Sequence, residues 1–203
     1  MSNFKTVFFI LGVLQIILGL SMIVPIMAQF YYNQVDSGFI GSGLVSIIFG
    51  VLFFLSNLDY EKKLTLPQAF LLTALSWLSI AIFGSLPFVF SDLSLSFTNA
   101  FFESMSGITT TGSTILTNLN ETPKAILLWR AMLQWLGGIG IIVMAITLMP
   151  IMNIGGMQLF VAEAPVFSLD KLQPRIKETA QRLWLIYISF TCLLYTSPSP
   201  RDY

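Results

Sequence analysis

Long apolar segments separated by short polar breaks make up most of this chain, and their lengths predict membrane-spanning helices. About 20 helical residues cross a hydrocarbon core of about 30 Å. Four segments reach that length, at residues 4–28, 38–58, 67–90 and 125–150. A fifth apolar segment, 97–105, is too short to span and leads into the polar run 104–114. The pattern therefore predicts four spans and one re-entrant loop.

The polar run reads Ser104-Met-Ser-Gly-Ile-Thr-Thr-Thr-Gly-Ser-Thr114. Irregular backbone at membrane depth is tolerated only where it is buried in protein or lines a cavity. Backbone carbonyls can replace the water around a monovalent cation, and a glycine within the run permits angles closed to other residues. We therefore predict a short column of carbonyls around a cation, formed by Thr109, Thr110, Thr111, Gly112 and Ser113. A Thr/Ser-rich turn that binds no ion is the structural alternative.

Composition and charge placement indicate a membrane protein with a defined orientation. Of the 203 residues, 55% are hydrophobic and 10% are charged, whereas a soluble domain has roughly 25% charged residues. If the spans alternate, Lys5, Lys62, Lys63 and the basic residues of 171–182 share one side, which the positive-inside rule makes cytoplasmic. This predicts a cytoplasmic N-terminus and a short helix that enters from outside. The negative end of that helix would then point toward the membrane centre.

Several classes of function lack the residues they need. The chain has no histidine and a single cysteine, so a zinc site, a Cys-His nucleophile pair and a disulfide framework are all unsupported. No paired carboxylates lie within a span to supply acid–base chemistry. Acidic and basic residues balance at ten each. We therefore predict no enzyme, no covalent cofactor and no nucleic-acid partner, with membrane lipid as the surroundings.

Further motifs accompany the polar run in a distinctive combination: Glu103–Thr114, Trp129-Arg130, Gln134–Gly140, Glu163-Ala-Pro165 and Pro174-Arg175. Together they resemble the Trk/Ktr/HKT superfamily of potassium transporters, closest to the bacterial TrkH branch. The resemblance implies an all-α integral membrane fold, with two leading transmembrane helices and one helix–pore loop–helix repeat of a K⁺ channel-like fold. It implies that this chain supplies one of four pore loops, with K⁺ bound at Thr110, Thr111 and Gly112.

The same resemblance implies a location and partners. It points to a multi-pass protein of the bacterial cytoplasmic (inner) membrane that takes up potassium ions. It also implies a homodimer of the full-length protein and a cytosolic, TrkA-like nucleotide-binding regulatory subunit. A non-transporting membrane scaffold with a structural Thr/Gly re-entrant turn is the alternative interpretation.

Residues around the polar run are predicted to support it: Glu103, Ser104, Ser106, Gly107, Arg130, Gly137 and Gly138. For Glu103, structural bracing and tuning of the field at the filter are equally open. Arg130 is expected to snorkel or to pair with an acid rather than to line the ion path. Gly137 and Gly138 are expected to be packing positions beside the pore loop. Gly107 is expected to end the short helix as a flexible exit residue.

The domain organisation follows from these segments. Residues 1–63 are predicted to hold two transmembrane helices, and 64–152 the first repeat with its filter at 109–113. Residues 153–182 are predicted to form a cytoplasmic connecting segment, and 183–191 the start of a second repeat. Residues 192–203 resemble a translated sequencing adapter. We therefore expect the native sequence to end near Thr191 and the chain to be an N-terminal fragment.

Overall fold

The computed structural model describes residues 4–33, 36–59, 66–93, 95–117, 119, 121–152 and 172–196, and every regular element in these ranges is an α-helix. The chain forms two units, residues 1–138 and 139–203. The helices are α1 Lys5–Ser21, α2 Ile23–Tyr31, α3 Gly38–Ser56, α4 Leu66–Phe90, α5 Phe97–Ile108, α6 Lys124–Met152 and α7 Leu172–Thr196.

Three stretches of helix among the described residues are long and apolar enough to cross a membrane: Lys5–Tyr31, Gly38–Ser56 and Pro67–Phe90. They coincide with the first three predicted spans, and α6 coincides with the fourth. Large apolar side chains point outward from α1 and α3, with Ile17 55%, Leu44 56% and Leu52 54% exposed. An apolar outer surface of this kind suits lipid rather than water.

The first predicted span is divided at Met22, where α1 ends and α2 begins. Pro25 explains the division, because it has no N–H to bond the carbonyl of Ser21 one turn earlier. It sits in the opening turn of α2, where a missing donor is tolerated. Pro25 is fully buried, and the helix continues beyond it to Tyr31. The helix therefore continues beyond residue 28, where the first span was predicted to end, and it ends at Tyr31.

Glycines bring α1 and α3 into close contact. A Cβ atom at Gly12 would lie 2.8 Å from the carbonyl oxygen of Gly50, and one at Gly19 would lie 2.9 Å from that of Gly43. Small residues allow helix backbones in a membrane to approach in this way, where lipid gives no hydrophobic drive for association. The glycines of the second predicted span thus serve helix packing.

The core of the first unit forms where the end of α1, α3, α4 and α5 meet the beginning of α6. Its buried residues are Leu18, Met22, Phe39, Phe88, Ala100, Leu116, Ala125, Ile126, Trp129 and Leu133. The Trp129 ring stands edge-on to Phe39, with centroids 6.2 Å apart, and its Nε1 donates to the Gly84 carbonyl at 2.9 Å. Trp129 therefore joins α6 to both α3 and α4, beside the polar run.

Asp36 connects two polar breaks at the ends of the helices. One of its carboxylate oxygens accepts from the Gly38 backbone N–H at 2.8 Å, and the other accepts from the Asp92 backbone N–H at 3.3 Å. The start of α3 is thereby tied to the segment between α4 and α5.

The helix α7 differs from the predicted division of the C-terminal part. The connecting segment was predicted at 153–182, but α7 begins at Leu172 and continues through residue 183 to Thr196. The boundary at 182/183 therefore lies inside one helix. Residues 153–171, which carry most of the predicted connecting segment, are outside the described residues, as are residues 197–203.

Candidate functional site

The short helix α5 leads directly into the polar run. Ser96 caps its N-terminus, since the side-chain oxygen accepts from the Asn99 backbone N–H at 3.4 Å. The helix then runs for 12 residues to Ile108. Gly107 lies within its last turn, where a Cβ would come within 3.2 Å of the Leu133 Cβ on α6. The helix ends one residue after Gly107, at Ile108, and the absence of a Cβ at Gly107 allows α6 to pack closely.

The backbone N–H groups of Thr110, Thr111 and Gly112 all point back at α5. Thr110 donates to the Gly107 carbonyl at 2.9 Å, and both Thr111 and Gly112 donate to the Ser106 carbonyl, at 3.1 and 3.4 Å. In a planar trans peptide the carbonyl lies opposite the following N–H, and the described residues contain no cis peptide. The carbonyls of Thr109, Thr110 and Thr111 therefore point away from α5, side by side.

Backbone dihedral angles show how the run achieves this. Thr110 has φ +57° and Gly112 has φ +79°, whereas Thr111 between them has no positive φ. In an ordinary strand successive carbonyls point to alternate sides. A left-handed backbone conformation at every second residue removes that alternation, so that successive carbonyls point to the same side. A β-branched residue in the left-handed region is an outlier. The strained Thr110 is therefore held by its surroundings, as residues at functional sites often are.

Glu103 anchors the far end of the run. Its carboxylate is fully buried on α5 and accepts from the Thr114 hydroxyl at 2.9 Å and the Ile115 backbone N–H at 3.0 Å. It also forms an ion pair with Arg130, whose Nε donates to Oε1. A buried carboxylate is costly unless it is paired and hydrogen-bonded, and this one is both.

Arg130 reaches from α6 to the same end of the run. Its Nη2 donates to the carbonyls of Gly112 at 3.0 Å and Ser113 at 3.3 Å. The Ser106 hydroxyl also donates to the Ser113 carbonyl, at 2.6 Å. The two last carbonyls of the predicted column are thus turned toward protein donors. The carbonyls of Thr109, Thr110 and Thr111 accept no hydrogen bond from the described part of the chain.

The remaining predicted residues pack around the run. A Cβ at Gly137 would overlap the Ile108 carbonyl oxygen, so α6 touches the last residue of α5 directly. Gly138 is partly buried beside it. Ser104 is fully buried against α4, where a Cβ at Gly84 would meet its Oγ at 2.8 Å. Ser104 therefore belongs to the α4–α5 contact rather than to the run itself.

Two contributors escaped the sequence analysis, Thr114 and Ile115. Both bind Glu103, one through its hydroxyl and one through its backbone N–H. A carboxylate in an apolar helix, eleven residues before a threonine, is the only signal of this pairing. Nothing in the spacing shows that the chain folds back between them.

The arrangement can present oxygen ligands to a hard, weakly charged cation. Three neighbouring carbonyls face one way, and the nearby carboxylate is neutralised by an arginine. The Thr109 and Thr111 hydroxyls lie 2.8 Å apart and add oxygen atoms on the same stretch. Oxygen atoms of this kind can replace the water around a monovalent ion. The described residues hold no cluster of three or more His, Cys, Asp or Glu that could bind a metal.

Comparison with known proteins identifies the family of this chain. The TrkH family, described as a cation transport protein, matches residues 5–196. The chain belongs to this family. The match runs past Thr191, where the foreign tail is predicted to begin.

Individual relatives agree with this assignment. The Trk system potassium uptake protein TrkH of Escherichia coli K12 is 42% identical over 192 residues, which is 93% of this chain and 40% of that protein. The TrkG protein of the same organism is 32% identical, over 95% of this chain and 41% of its own length. The chain thus spans about 40% of the length of these curated relatives.

A solved structure matches as well. The crystal structure of the potassium transporter TrkH from Vibrio parahaemolyticus aligns with a TM-score of 0.81 and 36% identity. The alignment covers 95% of this chain and 38% of that one. The prediction of an all-helical membrane protein related to TrkH is confirmed.

Proposed function

We propose that this chain is part of a potassium uptake transporter and contributes one of four pore loops to its selectivity filter. In this proposal residues 64–152 form the first repeat and residues 109–113 its filter strand. The observation that carries the proposal is the orientation of the carbonyls of Thr109, Thr110 and Thr111, which point away from α5 together. Such carbonyls can replace the hydration shell of a potassium ion.

Within the filter strand the residues divide into two groups. Thr109, Thr110 and Thr111 supply carbonyls to the ion, while Gly112 and Ser113 end the column by turning toward Arg130. Arg130 thus acts by positioning the strand rather than by binding the ion, since a guanidinium would repel a cation. Glu103 balances its charge, which leaves the strand without net charge beside a monovalent ion.

The charge distribution and the relatives support a membrane, an orientation and partners for the proposed filter. We place the protein in the bacterial cytoplasmic membrane with its N-terminus in the cytoplasm and the α5 hairpin entering from outside. The relatives are described as parts of a Trk system for potassium uptake. A homodimer of the complete protein and a TrkA-like nucleotide-binding regulatory subunit complete the proposal.

Transport by a chimera tests the proposal directly. Residues 5–191 of this chain would replace the matching segment of the Vibrio parahaemolyticus TrkH in a bacterium deficient in potassium uptake. We expect the chimera to restore growth at low potassium, and the chain expressed alone to fail, because it supplies one filter strand in four. A chimera that inserts into the membrane but carries no potassium, while the Vibrio parent does, would contradict the proposed function.

Gly112 offers a finer test of the filter strand within that chimera. At φ +79° an ordinary L-residue is strained by roughly 1–2 kcal/mol, so Gly112→Val should reduce rubidium flux by about tenfold. Gly112→Asn is the matched control, because asparagine tolerates the left-handed region. Among the described residues no atom lies within 4 Å of a Cβ at this position, so the contrast reports backbone conformation. Equal flux in both variants would favour a structural turn in a scaffold protein.

A further inference from the structure

Two buried polar atoms in the contact between α1, α3 and α4 lack a hydrogen-bond partner among the described residues. They are Oε1 of Gln15 and Oγ of Ser46, and both residues are 0% exposed. The other end of the Gln15 amide is satisfied, because Nε2 donates to the Ser79 hydroxyl on α4 at 2.6 Å. Native proteins rarely leave such atoms unpaired, since the full desolvation penalty then remains.

The two atoms lie at the same level of the helix bundle. The contacts of Gly12 with Gly50 and of Gly19 with Gly43 align the antiparallel helices α1 and α3. Gln15 is three residues from Gly12, and Ser46 is four residues from Gly50. At about 1.5 Å per residue, these offsets place the two side chains within roughly 2 Å in height.

Both side chains also face the three-helix junction. On α3, Gly43 and Gly50 face α1, while the Phe49 ring contacts Phe83 of α4 at 5.4 Å. The opposite side of α3 is exposed, with Leu44 and Ile48 both at 56%. The fully buried Ser46 is therefore on the inner side, between the contacts with α1 and α4. Gln15 points to the same place, because its amide reaches Ser79.

The charges of the three helices decide what can occupy this junction. Between Thr6 and Gln29, between Gly38 and Ser56, and between Leu66 and Phe90 the sequence has no charged residue. A dehydrated cation needs several oxygen ligands to replace its water, whereas the described residues offer two unpaired side-chain oxygens here and no compensating charge. A water molecule needs only two to four polar partners and carries no charge.

We infer that the junction of α1, α3 and α4 is a binding site for one internal water molecule. The water donates to Oε1 of Gln15 and exchanges a hydrogen bond with the Ser46 hydroxyl. Because the Gln15 amide also donates to the Ser79 hydroxyl, the site links α1, α3 and α4 through one series of hydrogen bonds. This inference is independent of the proposed ion pathway.

Water-edited solid-state NMR on the labelled chain in lipid bilayers tests the site in the unaltered protein. We expect magnetisation transfer from water to the Gln15 side-chain amide, with a signal that disappears in Gln15→Leu. The methyl group of Ala81, which is 0% exposed on α4, is the dry control. Absence of transfer to Gln15, with the same result as at Ala81, would overturn the inference.

Stability of variants provides the second test. Ser46→Ala should shift the unfolding equilibrium toward the unfolded state about fivefold, the effect of one ordinary hydrogen bond. Its effect should be non-additive with that of Gln15→Leu, because both side chains share the water. Ser42→Ala is the matched control: Ser42 is equally buried on α3, but its hydroxyl donates to the Gly38 carbonyl at 2.6 Å, so its effect should add independently.

Two outcomes of that second test would overturn the inference. If Ser46→Ala makes the chain more stable, the hydroxyl is unpaired and the junction is dry. If the stability of the unaltered chain rises with sodium or potassium over choline at constant ionic strength, and Ser46→Ala abolishes the rise, a cation occupies the junction instead.

Discussion

Replacing Glu103 with leucine is expected to lower the free energy of unfolding by about 3 kcal/mol, the cost of leaving one partner of a buried ion pair alone. The variant would leave Arg130 without its carboxylate partner, although the Arg130 side chain is only 19% exposed. It would also remove the acceptor for Thr114 and Ile115. The measurement is unfolding of the detergent-solubilised chain, followed by helical circular dichroism as denaturant is added.

The double variant E103L/R130M is the matched control. Removing both charges avoids the unpaired arginine, so we expect it to be more stable than Glu103→Leu alone. In the chimera, however, the double variant should remain deficient in rubidium flux, because no guanidinium then holds the carbonyls of Gly112 and Ser113. If the double variant is no more stable than the single one, the ion pair does not determine stability. Full flux in the double variant would remove the positioning role of Arg130.

Replacing Gly137 with alanine is expected to cost as much as the loss of Glu103, although only one methyl group is added. The new Cβ would overlap the Ile108 carbonyl oxygen. Since this neighbour is backbone, α6 must move away from the end of α5. Overpacking typically costs about 1–3 kcal/mol of unfolding free energy, occasionally more. Because backbone cannot move aside as a side chain can, we expect a cost at the upper end, about 3 kcal/mol. The same unfolding measurement applies, and flux in the chimera should fall with stability.

Gly41→Ala supplies the comparison for Gly137. Within the described part of the chain, a Cβ at Gly41 would meet only the Phe90 ring, at an ordinary 3.9 Å. Alanine also favours a helix over glycine by about 1 kcal/mol. Gly41→Ala is therefore expected to be neutral or slightly stabilising. Similar results for the two alanine variants would mean that α6 does not approach the end of α5 this closely.

The apolar pattern was sufficient to predict the spans and the short helix, because burial in lipid imposes a simple length requirement. It was less informative where a single residue controls a helix end. Pro25 divides the first span at Met22 because it has no backbone N–H. Gly107 resembles a helix terminator in sequence, but α5 continues to Ile108, and the absence of a Cβ at Gly107 allows close packing against Leu133. This second outcome involves tertiary packing, which can override local propensity.

The candidate site shows the same limit. Sequence analysis singled out Glu103 and Arg130, because charged residues in apolar helices require an explanation. For Glu103 it left structural bracing and tuning of the field equally open, and for Arg130 it expected either snorkelling or pairing with an acid. Their pairing brings together residues 27 positions apart, and this separation has no signature in the sequence. The left-handed conformation of Thr110 was equally inaccessible, since β-branched residues disfavour it.

Hydrogen bonds attach the polar run to two helices. Thr110, Thr111 and Gly112 are tied through their N–H groups to the end of α5, whereas the carbonyls of Gly112 and Ser113 are tied to α6 through Arg130. Gly112 and Ser113 are held by both helices, since the Ser113 carbonyl also accepts from the Ser106 hydroxyl of α5. A small displacement of α6 along its axis would therefore act on these two residues, and the three carbonyls of Thr109, Thr110 and Thr111 would keep their spacing while the strand beyond them bends.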